Sequence, residues 1–144
     1  MFKFFKSLAD NNESGSFANR MRRARFGRFL DLLKTMPASL KIVDIGGTEN
    51  YWNQMGFTGS DKVKIYLINR TGKKGTNPNI LFIKADACDL NGIDNNSFDI
   101  AYSNSVIEHV GSLENQMKMV AEMRRVAPCI YLQTPNRYFP IEPH

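Results

Sequence analysis

The residues of this chain whose types and spacing could do chemistry are carboxylates, amides and glycines at the ends of short apolar runs. In Ile42-Val43-Asp44-Ile45-Gly46-Gly47-Thr48-Glu49 an apolar run ends on a carboxylate and two glycines. Glycines at such a turn let backbone N–H groups come close to a ligand. A pyrophosphate site would want Gly-x-Gly-x-x-Gly, but after Gly46 the chain reads Gly-Thr-Glu-Asn-Tyr-Trp, with no third glycine and a carboxylate nearby. Asp44 instead suits the cationic part of a ligand, through charge complementarity or a bridging water.

Further along, Asp86 follows the run in "ILFIKAD", and "SFDIAYSNSVIEHV" gathers Asn104, Glu108 and His109. An imidazole at His109 could remove a proton from a substrate hydroxyl or amine, although packing within its loop or helix is the favoured reading. No Ser/His/Asp arrangement is evident. His109 and His144 are the only histidines, and Cys88 and Cys129 lie far apart, so a multi-ligand zinc site has little support. The same two cysteines fit reduced thiols of a cytoplasmic protein better than a disulfide framework. Tyr51 and Trp52, just past the glycines, are either a wall of the site or core.

These groups need a scaffold, and the chain has a β/α rhythm: "KIVDIG", "KIYLIN", "ILFIKAD", "FDIAYSNS" and "CIYLQTP" alternate with helical or loop-like segments. Near-continuous apolar runs suit parallel strands covered on both faces, joined by long crossovers. The expected fold class is therefore α/β, a largely parallel sheet flanked by helices. Ligands of such sheets bind beyond the carboxyl ends of the strands, where the residues above stand. The clearest helix is "SLENQMKMVAEMRRV", with Ser112 as its cap and Leu113, Met117, Val120 and Met123 as its inward face. Asp99 has an expected structural role at the entrance of its strand.

The net charge of +5 comes entirely from residues 1–40, which hold eight Lys/Arg against three Asp/Glu. Within "ANRMRRARFGRFLDLLKTMP" a helical step places Phe26, Phe29, Leu30 and Leu33 on one side and Arg20 and Arg28 on the other. This is an amphipathic helix ending near Pro37, with Ser14 or Ser16 to cap it. Residues 1–37 thus form a basic extension and residues 38–144 the main domain. No run approaches the ~20 apolar residues that a membrane span needs, and the "MFKFFK" start would bind a membrane surface weakly.

Residues 38–144 resemble the class I S-adenosylmethionine-dependent methyltransferases of the small-molecule type, with a Rossmann-like sheet of order 3-2-1-4-5. "VDIGGTE" matches their first motif: the turn of Gly46 and Gly47 backs the methionine part of the cofactor and Asp44 takes the acidic position near its amino group. Thr48 stands where a second glycine is usual. "IYLINR" falls at the second strand, where Asn69 replaces the acidic residue that grips the ribose. "IKADACDL" resembles the third motif, in which Asp86 accepts from the adenine amine and the Ala87 N–H faces a ring nitrogen. "SNSVIEHV" resembles the loop lining the methyl-transfer site, making Asn104 a cofactor contact, Glu108 a substrate contact and His109 the candidate base. "TPNRYFPIEPH" resembles a substrate-side loop that offers Arg137, Tyr138 and His144.

The resemblance implies methyl transfer from S-adenosylmethionine to a small-molecule acceptor, with no metal. The family commonly adds two further strands, so the sheet is expected to lack its last strands. The alternative is a non-catalytic module of the same fold that presents the basic helix, with Arg20, Arg22, Arg23, Arg25 and Arg28, to a nucleic acid or protein partner.

Overall fold

The computed structural model describes residues 17–71 and 75–135 and divides the chain into two compact units. One contains helix α1, Phe17–Lys34. Its Phe26 and Phe29 are buried with ring centroids 5.7 Å apart, whereas Arg20 and Arg28 are exposed, as the helical spacing requires. Ser14, Ser16, the "MFKFFK" start, Arg137, Tyr138 and His144 lie outside the described residues.

The other unit, Pro37–Thr134, holds the sheet. Its elements run β1 Leu40–Ile45, α2 Glu49–Met55, β2 Val63–Asn69, β3 Ile80–Lys84, β4 Ile100–Asn104, a 3₁₀ turn Ile107–His109, α3 Leu113–Val126 and β5 Cys129–Gln133. The strands lie in the order β3-β2-β1-β4-β5 and every pairing is parallel, as expected from the sequence. Asp99 does close the strand entrance: its carboxylate accepts the Lys41 N–H at 2.7 Å and its own N–H donates to the Lys41 carbonyl.

Strand pleating sends alternate side chains to opposite faces. Val43, Ile45, Ile68 and Ala101 form one face and pack with Met119, Met123 and Val126 of α3. Asp44, with register neighbours Leu67 and Tyr102, falls on the other face, where Trp52 of α2 is buried. The inward face expected for α3 is not the stripe that is buried. Leu113 is 71% and Met117 65% exposed, Val120 is half-buried, and of the expected four only Met123 is fully buried. Helical spacing fixes which residues share a stripe, but the tilt of the helix on the sheet selects the stripe that is covered. The Ser112 cap holds, its hydroxyl accepting the Asn115 N–H at 3.3 Å.

Among the described residues, only the β1–β2 and β4–β5 crossovers are α-helical. The long β3–β4 crossover is held instead by the last turns of α3. Glu122 accepts the Leu90 N–H at 2.8 Å, and Arg125 donates to the carbonyls of Leu90 at 3.0 Å and Ile93 at 2.6 Å. The two side chains also pair with each other, which holds the Glu122 carboxyl below its usual range. Polar side chains thus satisfy backbone groups that a helix would have satisfied internally.

Candidate cofactor site

A cavity of about 500 Å³ opens beyond the carboxyl ends of β1, β2 and β3. Gly46 comes to it from β1, Asn69 and Arg70 from β2, Asp86, Ala87 and Cys88 from the turn after β3, and Val106, His109 and Val110 from the segment after β4. Asn115 and Lys118 of α3 complete the wall. Of the residues singled out in the sequence, Gly46, Asn69, Asp86, Ala87 and His109 are thereby brought together. Asp44, Gly47, Asn104 and Glu108 lie outside this lining.

Each wall residue is fixed by local physics. Gly46 has φ +81°, a conformation that disfavours side chains, and a Cβ there would stand 2.5 Å from the Val106 Cγ2. The glycine therefore permits the loop after β4 to close against the end of β1. Asp86 sits in a tight turn in which its Oδ1 accepts the Cys88 N–H at 2.9 Å and its carbonyl accepts the Asp89 N–H at 3.0 Å. Its side chain is 47% exposed, with the Arg70 Nε 3.7 Å from Oδ2. Burial, together with the charge of Asp86, pushes the neighbouring Cys88 thiol up.

Behind the turn the arrangement is different. Asp44 is 1% exposed, and its Oδ2 accepts the Trp52 indole N–H at 2.7 Å. Burial pushes its carboxyl up to about 7, outweighing the Trp52 bond, which acts in the opposite direction. A Cβ on Gly47 would fall onto this carboxylate. The two glycines thus also make room for two neighbours in the protein, Val106 for Gly46 and Asp44 for Gly47. Thr48 caps α2, its Oγ1 accepting the Tyr51 N–H at 3.3 Å. Glu49 is not idle either: its carboxylate accepts the N–H groups of Thr76 at 3.3 Å and Asn77 at 3.2 Å, tying the β2–β3 crossover to the start of α2.

At the end of β4, Asn104 is engaged across the strand pair, its Oδ1 accepting from Gln133 Nε2 at 2.9 Å. Ser105 takes φ +57°, a costly conformation for a residue with a side chain. Glu108 accepts the Thr134 hydroxyl at 3.2 Å through Oε2. Its Oε1 is buried without a hydrogen-bond partner among the described residues, 3.9 Å from the His109 Nε2. Tyr51 is half-buried and bonds the Tyr102 hydroxyl, and Trp52 is fully buried, so both belong to the packing behind the turn.

A family model described as a methyltransferase domain matches residues 47–128, more than half of the chain. The chain belongs to the class I methyltransferase family. The match begins at Gly47 and includes Asn69, Asp86, Ala87 and His109. Three solved structures share the chain's fold. One is assigned as a methyltransferase of an antibiotic biosynthesis pathway from Anabaena variabilis, with TM-score 0.54 and 22% identity over 72% of this chain and 41% of that one. A second, assigned as a sarcosine dimethylglycine methyltransferase from Galdieria sulphuraria, has TM-score 0.54 and 16% identity over 76% of this chain and 43% of that one. A glycopeptide N-methyltransferase has TM-score 0.51 and 9% identity over 74% of this chain and 49% of that one. The chain thus spans less than half the length of each of these three proteins. A comparison with curated proteins finds no match.

S-adenosylmethionine is the cofactor of this family, and the cavity fits it on two grounds. Its volume falls within the usual range for small-molecule sites, and its wall offers a carboxylate, a side-chain amide and backbone at the ends of three adjacent strands. Arg70, Lys118, Val106 and Val110 also line it and were not singled out in the sequence. Position after an apolar run was the available signal for Arg70; nothing local marked the others. Among the described residues, no helix is long and apolar enough to cross a membrane, and no His/Cys/Asp/Glu group could hold a metal.

Proposed function

We propose that this methyltransferase domain holds S-adenosylmethionine in the cavity beyond β1–β3 and serves methyl transfer to a small-molecule acceptor. The observation that carries this is the convergence of Asn69, Asp86 and Ala87 on one cavity floored by the Gly46 turn. Asp86 accepts from the exocyclic amine of an adenine, held in aim by its bond to the Cys88 N–H. Ala87 presents its backbone to a ring nitrogen. Asn69 meets the ribose with an amide, which offers one acceptor and two donors in place of a carboxylate's paired oxygens.

When bound, the cofactor supplies an electrophilic methyl group and its own leaving group, so the demand on the protein is alignment and exclusion of water. His109, exposed at the cavity wall, takes the proton of an acceptor hydroxyl or amine. Glu108 lies outside the cavity lining but beside that imidazole, its Oε1 3.9 Å from the His109 Nε2, and in this reading reaches the acceptor only through the ring.

Calorimetric titration with S-adenosylmethionine and S-adenosylhomocysteine, with NAD as control, tests the proposal. Saturable binding of the first two, weakened roughly tenfold in Asp86→Ala, is the expected result. A folded sample that binds neither would overturn it.

A further inference from the structure

The Asp44 carboxylate and the Trp52 indole form a hydrogen-bonded pair that the cavity does not use directly, since neither residue lines it. Yet the pair is joined to the cavity floor by the shortest of routes. Asp44 is two residues from Gly46, which lines the cavity, and its carboxylate fills the space beside the Cα of Gly47. Any movement of that carboxylate therefore moves, or is moved by, the turn.

Trp52 is well placed to prevent such movement. It lies in the first turns of α2, directly after the turn, and its side chain reaches back behind it. The ring is fully buried, with centroids 5.2 Å from Tyr102 and 5.9 Å from both Tyr51 and Phe57. Tyr102 is itself stacked on Tyr131 and bonded to the Tyr51 hydroxyl. An indole wedged among aromatic rings has little rotamer freedom, so its N–H is aimed before the carboxylate arrives. Thr48 caps the same helix, which makes the turn, the cap and Trp52 one mechanical unit.

We infer that Trp52 is a positioning residue for the cofactor cavity: its indole N–H pins the Asp44 carboxylate against Gly47 and so fixes the turn whose Gly46 forms the cavity floor. This rests on the cofactor reading above and gives Asp44 a supporting place behind the turn. The grip is sensitive to protonation. Among the described residues, the titratable groups packed around the pair are the phenols of Tyr51 and Tyr102, with Tyr131 stacked on Tyr102, and burial pushes the Tyr102 phenol up, away from neutrality. Asp44, with its carboxyl near 7, changes charge in that range, and an ionised carboxylate accepts the indole N–H more strongly than a protonated one.

Trp52 is the only tryptophan of the chain, so one indole N–H resonance in a nitrogen-correlated spectrum reports on the pair without ambiguity. In the full chain this signal is expected to titrate with a midpoint near 7 and to stay flat in Asp44→Asn, which keeps an acceptor but cannot ionise. Trp52→Phe removes the donor and keeps a ring; it is expected to weaken S-adenosylhomocysteine binding roughly tenfold. Should that variant not fold, Asp44→Asn decides through its S-adenosylhomocysteine affinity, which is expected to lose the pH dependence that the unaltered chain shows around neutrality. Unchanged affinity in a folded Trp52→Phe, or a pH dependence surviving in Asp44→Asn, would overturn the inference. If the unaltered, folded chain binds no S-adenosylhomocysteine, it is the cofactor reading that fails, and the pairing is then decided by the indole titration alone: a flat signal would refute it.

Discussion

The ends of β1 and β3 carry the same side chain in opposite circumstances. Asp44 is sealed behind the turn, 1% exposed, with one indole donor and a carboxyl raised to about 7. Asp86 is half-exposed on the cavity wall, bonded to a backbone N–H and near a guanidinium. Both follow apolar runs, yet one is packed behind the turn and the other lines the cavity. The difference arises from where each strand stops. Asp44 is still within β1 and takes the direction that the pleat dictates, towards α2, whereas Asp86 lies beyond β3 in a turn that leaves it on the cavity wall.

The largest expected effect is on stability as a function of pH. The folded-state value of Asp44 is raised from 3.8 to about 7, so the folded protein holds a proton that the unfolded chain releases. The corresponding stability is complete below about pH 4 and is lost as pH rises through 7, on the order of 4 kcal/mol in total. Urea unfolding across that window should show this slope in the unaltered chain and not in Asp44→Asn; a slope that persists in the variant would place Asp44 in the same class as Asp86.

Next in size is the crowding at the turn. Gly47→Ala puts a methyl on the Asp44 carboxylate and should cost about 2 kcal/mol, as overpacking does. The comparison is sharpened by a double variant: in an Asp44→Ala background the added methyl has room, and the cost of Gly47→Ala should fall below about 1 kcal/mol. Equal costs in both backgrounds would mean that the carboxylate does not press on the turn.

Asp86→Ala should do the converse, weakening S-adenosylhomocysteine binding roughly tenfold in calorimetry while changing unfolding stability by less than about 1 kcal/mol, because the side chain is half-exposed. A stability loss larger than the binding loss would assign Asp86 to the scaffold. The smallest effect belongs to the exposed pair Glu114 and Lys118 on α3, 2.7 Å apart. Glu114→Gln should leave the urea midpoint unchanged at low and at high salt, because solvent screens the pair.

Much of the scaffold was legible beforehand. Apolar runs fix strands, and the order β3-β2-β1-β4-β5 followed from the family resemblance carried by "VDIGGTE", "IKADACDL" and "SNSVIEHV". Gly46, Asn69, Asp86, Ala87 and His109 were singled out and do share one cavity wall. The buried stripe of α3 was not legible, because Leu113, Met117 and Val120 satisfy the helical period as well as Met119 and Val126 do, and only the docking angle on the sheet separates the two stripes.

The sequence by itself determined the alternation of elements, the positions of the glycines and carboxylates at strand ends, the Ser112 cap and the apolar side of α1, since these depend on interactions within a few residues. The tertiary structure alone decided that Asp44 bonds Trp52, that Val106 closes on Gly46, that Glu49 ties down Thr76 and Asn77, and that Arg70 and Lys118 share the cavity with Asp86. Most of these join residues from different elements, brought together only when parallel strands align; the Asp44–Trp52 bond, within one local segment, needs the turn to fold back first. A carboxylate acquires its pKa and its role from that assembled surrounding rather than from its place in the chain.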